Sequence, residues 1–269
     1  MPPARQSLML RCNMTDPSSR RIAALYRYPV KGLTGEALEA VDLAPGRAFP
    51  DDRRFAIALG TTSYDQTEPV WLPKASFFQL ARHERLALLA SHYDSESGML
   101  TLSRGGKPVA HGKATAPQGR AVIGEFLAAF LDAGQGRPKL VEGPPVTLAD
   151  CGEALVSIIG EASIADLARV VGKPIDQLRF RANVYVSGTK PWEELSWVGR
   201  EIALGPVRLK VVDRIGRCAA TNVDPATAER DMNLPLALQR AFDHGDMGIY
   251  AKVIDGGRIA KGDPLDLVA

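Results

Sequence analysis

The feature that most constrains this chain is how often its apolar alternation is interrupted. "IAALYRY" at 22–28, "ALEAVDL" at 37–43, "RFAIAL" at 54–59, "RLALLA" at 85–90 and "GMLTL" at 98–102 each read as a short half-buried strand. Turn-forming stretches such as "PGRAFPDD" and "SRGGKP" separate them. With turn residues separating short alternating segments, this part of the chain is expected to be antiparallel β, closed into a small barrel that leaves few open edges. Further strands are expected near 154–159, 183–187, 200–204, 207–213 and 248–254. Helices are too few for a doubly wound parallel sheet, and the expected class is mainly β with a few helices (α+β).

Three segments have helical spacing. In "RAVIGEFLAAFLDAG", Val122, Ile123, Phe126, Leu127, Phe130 and Leu131 fall on one face, with Gly134 as a stop. A second helix is expected after Ser163 as N-cap, with Asp166 three residues on and Gly172 and Pro174 as terminators. A third follows Asn233, with Pro235 in its first turn and Leu238, Ala241 and Phe242 on one face. A soft boundary is placed in "AHGKATAPQ", dividing the chain into a tail (1–20) expected to be disordered, a first β region (21–115) and a second region (116–269).

Composition narrows the function classes. A chain of 269 residues with a formal net charge of +2 has no global field to attract nucleic acid, and no basic run is interleaved with aromatics. Cys12, Cys151 and Cys218 make neither a CxxC pair nor an even framework, which argues against a zinc cage, an iron–sulfur cluster or a disulfide scaffold. His83, His92, His111 and His244 lack ligand spacing. No apolar run approaches 20 residues, so no membrane span is expected, and the cytoplasm is the expected compartment.

Cationic residues recur at expected strand ends. Lys31 beside Gly32 pairs an ammonium with a backbone N–H, a combination suited to an anion. Arg53 and Arg54 stand at the mouth of one strand, where the pleat should send them to opposite faces, and Arg53 is the one assigned to a pocket. Arg179 and Arg181 should share a face of another. Cys218 follows Arg217 just past a strand end, with Thr221 and Asn222 close behind. From these residues alone, Cys218 reads either as a small buried hydrophobe or as a thiolate favoured by its cationic neighbour. Glu193 and Glu194 diverge as adjacent residues should, which argues against an acid/base pair, and Trp192 with Trp197 read as packing that frames the segment.

In order along the chain, "YRYPVKG", "RFRANVYVSGTKPWEELSW", "RCAATNVDPATAERD" and "GDMGIYAKVIDGGRIAKGDPL" resemble the motifs of the MOSC family with its N-terminal β-barrel region, from about Ile22 to Leu267. The resemblance implies a small N-terminal β-barrel followed by a MOSC β-barrel, and a molybdenum cofactor in which a pterin dithiolene holds the metal. It also implies that Cys218 ligates molybdenum, as both the metal ligand and the catalytic residue. Lys31, Arg53 and Arg181 match positions that hold the cofactor's phosphate in amidoxime-reducing members, Tyr250 matches a tyrosine near that site, and Gly32, Asn183, Arg217 and Thr221 fall in the same motifs.

The implied activity is oxo-transfer reduction of N-hydroxylated small molecules, with electrons from separate donor proteins. The alternative is a sulfur or cofactor carrier using Cys218 as a persulfide or thiolate. Gly32 stands where the family has serine, and Ala182 where it has proline. "ADCGEALVSIIGEAS" lacks the Asp-Thr-Ser type of segment that contacts the pterin in those relatives, leaving contacts from 150–156 unassigned. No ferredoxin-like cysteine cluster and no pyridoxal-phosphate-dependent sulfurase segment is recognised in the sequence.

Overall fold

Strands from the second half of the chain, joined by two from the first, build one large sheet. The computed structural model describes residues 19–131, 134 and 136–268; the expected tail at 1–18, with Cys12, lies outside the described residues. Eight strands run in the spatial order β15 (Leu265–Val268), β11 (Glu201–Leu204), β12 (Val207–Gly216), β13 (Asp246–Asp255), β9 (Val156–Gly160), β10 (Val184–Ser187), β1 (Arg21–Arg27), β2 (Glu36–Leu38). Neighbours are antiparallel except β9 and β10, which are parallel and therefore need a crossover; helix α2 (Glu161–Val171) supplies it.

Period 2 sorts the core. Ile158, Val184 and Val186 join the cluster with Trp197, Leu209 and Ile249, whereas Ile159 and Tyr185 point to the other face, against Leu167 of α2 and Leu238 of α3 (Leu234–Phe242). α3 begins as expected, the Asn233 side chain accepting from the Leu236 N–H.

The first half adds a three-stranded sheet, β5 (Ala90–Asp94), β6 (Met99–Arg104) and β7 (Lys107–Lys113), and two strand pairs. One pair is β4 (Phe55–Ala58) with β8 (Lys139–Glu142); the other is β3 (Ala40–Leu43) with β14 (Gly257–Ala260). Helix α1 (Pro117–Phe130) buries Ile123, Leu127 and Phe130 in the core formed with Phe55, Phe78 and Leu100. Strands are exchanged between the halves: β1 lies in the large sheet, and β3 pairs with the late strand β14. The 110–118 stretch holds the end of β7 and the first turn of α1.

Several local expectations are corrected. Residues 85–90 are not a strand: Glu84–Leu88 forms a 3-10 turn that buries Leu86 and Ala87, and β5 starts only at Ala90. The 37–43 stretch divides at Glu39 into β2 and β3, which pair with different partners. Val122 lies off the apolar face of α1, 56% exposed, and that helix ends at Phe130 rather than at Gly134. Ser163 does not cap α2. The helix starts at Glu161, and the Ser163 hydroxyl donates instead to the buried Glu194 carboxyl (2.8 Å). Gly172 ends α2 in the left-handed conformation, as expected.

Candidate functional site: a cationic cleft with a thiol at its edge

Strand ends and turns from both halves meet over one end of the large sheet. Its floor is set by register: Tyr250 on β13 is opposite Ser157 on β9, and the Ser157 hydroxyl donates to Asn183, just before β10, at 2.7 Å. Around this floor stand Lys31 and Gly32 after β1, Arg53 before β4, Asp150 and Cys151 after β8, Arg181 before β10, and Arg217, Cys218 and Thr221 after β12. The cleft measures about 1160 Å³ counted to its open mouth. All nine site residues expected from sequence border it: Lys31, Gly32, Arg53, Arg181, Asn183, Arg217, Cys218, Thr221 and Tyr250.

Its charge is unbalanced. The Lys31 ammonium, buried, donates to Leu148 O and to Asp150, both at 2.7 Å; burial lowers its pKa, and Asp150 opposes that shift. Arg53 pairs with Asp52 and donates to Arg181 O at 2.8 Å. The Arg181 guanidinium donates to Leu33 O at 2.6 Å, and both it and that of Arg53 lie over the Tyr28 ring, 4.4 and 4.5 Å from its centroid. Burial, then the charge of Arg53, pushes the Arg181 pKa down to about 10.

Arg217 donates to the carbonyls of Phe180 and Met247, and burial lowers its pKa too. Among the described residues neither Arg181 nor Arg217 has a carboxylate partner. Both stay protonated at neutral pH and neither is ion-paired, Asp52 acting on Arg181 only as a neighbouring charge, so the cleft suits an anion.

The two thiols differ in setting. Cys218 is exposed at the start of a 3-10 turn (Ala219–Asn222) that Thr221 closes by donating its hydroxyl to Cys218 O at 2.9 Å. Cys151 is also exposed and borders the same cleft. Tyr250 has its pKa raised by burial, with Arg217 opposing, and so keeps its phenolic proton. Among the described residues no three His, Cys, Asp or Glu side chains cluster as a metal site, so a metal here would draw on Cys218 and on donors of a bound group.

The reasons for some placements differ from those expected. Arg53 and Arg54 do part company, Arg54 turning away to Glu142 and Asp51, but the cause is the left-handed conformation of Arg53 (φ 50°) ahead of the strand rather than a pleat. Arg179 and Arg181 do not share a strand face. Arg179 lies in a 3-10 turn and pairs with Asp224 and Asp231, while Arg181 follows it with φ 54° and faces the cleft. Asn183 borders the cleft, but its amide is engaged with Ser157 and Tyr26.

Glu194 is fully buried on Ser163 and Gly160, and Glu193 pairs with Arg20. Sequence reasoning left the 150–156 stretch unassigned, whereas Asp150, Cys151, Glu153 and Leu155 line the cleft. It also missed Tyr28, whose ring carries two guanidiniums; its only signal was its place inside "YRYPVKG".

Residues 19–133 match the MOSC N-terminal beta barrel domain, and residues 134–266 match the MOSC domain. The chain belongs to the MOSC family. This MOSC protein is 32% identical over 140 residues to mitochondrial amidoxime reducing component 2 of Bos taurus, a match covering 48% of the chain and 40% of that relative. It is 30% identical over 143 residues to molybdenum cofactor sulfurase of Caenorhabditis briggsae, covering 48% of the chain and 18% of that protein. The matches thus span well under half the length of these curated relatives. The crystal structure of the YUAD protein from Bacillus subtilis aligns with 92% of the chain and 94% of its own, at 17% identity and a TM-score of 0.43. Among the described residues no helix is long and apolar enough to cross a membrane.

Proposed function

We propose that this MOSC protein holds the molybdenum cofactor in the cleft and reduces N-hydroxylated small molecules. The observation that carries the reading is the pair of guanidiniums without counter-ions, Arg181 and Arg217, in the same cleft as an exposed thiol. Lys31, Arg53 and Arg181 receive the phosphate, and the Cys218 thiolate is the protein's ligand to the metal. A soft thiolate suits that role, and a guanidinium fork suits phosphate oxygens. When bound, the cofactor supplies two-electron oxo transfer, so a hydroxylamine, two electrons and two protons give an amine and water. Tyr250 holds a proton at its phenolic oxygen on the cleft floor, and Leu80, Ala81 and Ala220 give the cleft an apolar lip. The electrons come from separate donor proteins.

Expression with molybdate followed by metal analysis tests this. Molybdenum near one per chain is expected, nearly absent in Cys218→Ala and retained in Cys151→Ala. Stoichiometric molybdenum with no turnover of any amidoxime or hydroxylamine by any donor would end the reductase reading and leave cofactor binding standing. The exposure of Cys218 also favours a second reading, a carrier of sulfur or finished cofactor. Metal-free protein carrying one extra sulfur on Cys218 would select it.

A further inference from the structure

The segment that begins at Cys218 leaves the sheet and returns as a closed loop. The Asp224 N–H donates to Glu229 O at 2.8 Å, Val223 bridges Arg230, and the Asp224 carboxylate accepts from the N–H groups of Ala226 and Thr227. From inside, the buried Arg179 fastens it through Asn222 O, Asp224 and Asp231. From outside, Arg230 fastens it to the other half of the molecule. Its guanidinium donates to Ala81 O (2.8 Å), Glu84 (3.1 Å) and Leu80 O (3.5 Å), and with its other nitrogen to Ala219 O (3.4 Å), next to Cys218.

Leu80, Ala81, Cys218 and Ala220 all line the cleft, and Arg230 joins the backbone of the first two to Ala219, which lies between the last two in sequence, so one side chain links the two lining segments. We infer that Arg230 is a positioning residue that sets the width of the mouth over Cys218. A planar fork with donors at both ends can hold two segments at a fixed distance, which a single ammonium cannot. Arg230 and Glu84 are partly exposed, 36% and 44% at their side chains, so the strap is weak as a stability element and can be removed without unfolding the body. The inference rests on Cys218 being the working thiol of the cleft.

The test uses metal-free protein with Cys12→Ser and Cys151→Ser, which leaves Cys218 as the one thiol, and compares alkylation by small iodoacetamide with that by bulky, apolar N-pyrenylmaleimide. In Arg230→Ala the bulky reagent should react at least about fivefold faster, iodoacetamide should change less than about twofold, and the thermal midpoint should stay within about 2 °C. Arg230→Lys should behave like Arg230→Ala, because it keeps the charge near Glu84 but not the span. Glu84→Gln should stay near the parent, because the carbonyl contacts remain. An unchanged bulky-reagent rate in Arg230→Ala would overturn the inference. So would equal acceleration of both reagents with a falling midpoint, or parental behaviour in Arg230→Lys. Alkylation reads the mouth and molybdenum content reads the ligand, so either can fail without the other.

Discussion

Replacing Arg181 by methionine should cost the ligand-free protein almost nothing and cost cofactor retention a great deal. In the folded state the guanidinium is disfavoured: burial and then Arg53 bring its pKa down to about 10. At about 1.4 kcal/mol per pH unit, that is a penalty of at most about 3.5 kcal/mol, less after allowance for solvent screening. Methionine removes this penalty. It also removes the bond to Leu33 O, worth about 1.5–3 kcal/mol for a charged donor, and a stacking contribution on Tyr28 of about 0.5–1 kcal/mol.

These terms nearly cancel, so the urea midpoint of metal-free Arg181→Met should lie within about 1 kcal/mol of wild type. A desolvated charge pair with phosphate, by contrast, is worth about 2–5 kcal/mol, or about 30-fold to 5000-fold in affinity. Molybdenum per chain after purification should therefore collapse. Arg54→Ala is the control, since Arg54 points to Glu142 and Asp51 and should leave metal content unchanged. If Arg181→Met unfolds the ligand-free protein by several kcal/mol yet keeps its molybdenum, Arg181 is a structural residue and the anion argument is wrong.

Two further outcomes concern the frame around the site. Burial raises the pKa of Glu194, so the stability this group contributes is fully present below the unfolded carboxylate value of about 4.3 and is lost as pH rises through the higher folded value. The thermal midpoint of Glu194→Gln minus that of wild type should thus grow from pH 4.5 upward and then level, and a gap independent of pH would refute the assignment. Gly248 has φ +81°, and a Cβ there would lie 2.5 Å from Ile158 O on the neighbouring strand. Gly248→Ala should lose about 2–5 kcal/mol in urea unfolding, and a loss below about 0.5 kcal/mol would show that the β13–β9 ladder relaxes freely.

Strand positions were legible wherever one face is buried, because period 2 is written directly into "VRLKVV" and "IYAKVI". The stretch at 85–90 misled for a physical reason: Leu86, Ala87 and Leu89 are buried through a 3-10 turn, and a short apolar run does not reveal which backbone buries it. Ser163 misled because the Glu194 carboxyl, distant in sequence, captured its hydroxyl. Motif order named the nine residues around the cleft, but the left-handed torsions at Arg53 and Arg181 that aim two of them inward carry no glycine or asparagine to announce them. Nor could sequence show which cations already have partners: Arg179 and Arg181 are two residues apart, yet one is held by two aspartates and the other by none.

That difference in pairing bears on the choice between a resident cofactor and a carrier. A carrier thiol needs access, which Cys218 has at the edge of the cleft whatever lies deeper. It gives no reason to hold Arg181 and Arg217 half-buried without carboxylate partners, at a standing cost to the folded chain. An acidic side chain could neutralise them, as Asp224 and Asp231 neutralise Arg179, and Asp150 and Asp52 already do so for Lys31 and Arg53 in the same cleft. Leaving two guanidiniums open is self-consistent if an anion occupies that space for most of the protein's life, adding stability in proportion to its occupancy. Wild-type protein stripped of ligand should then gain stability on reloading, and Arg181→Met should gain far less; a carrier whose cargo sits only on Cys218 predicts equal gains in both.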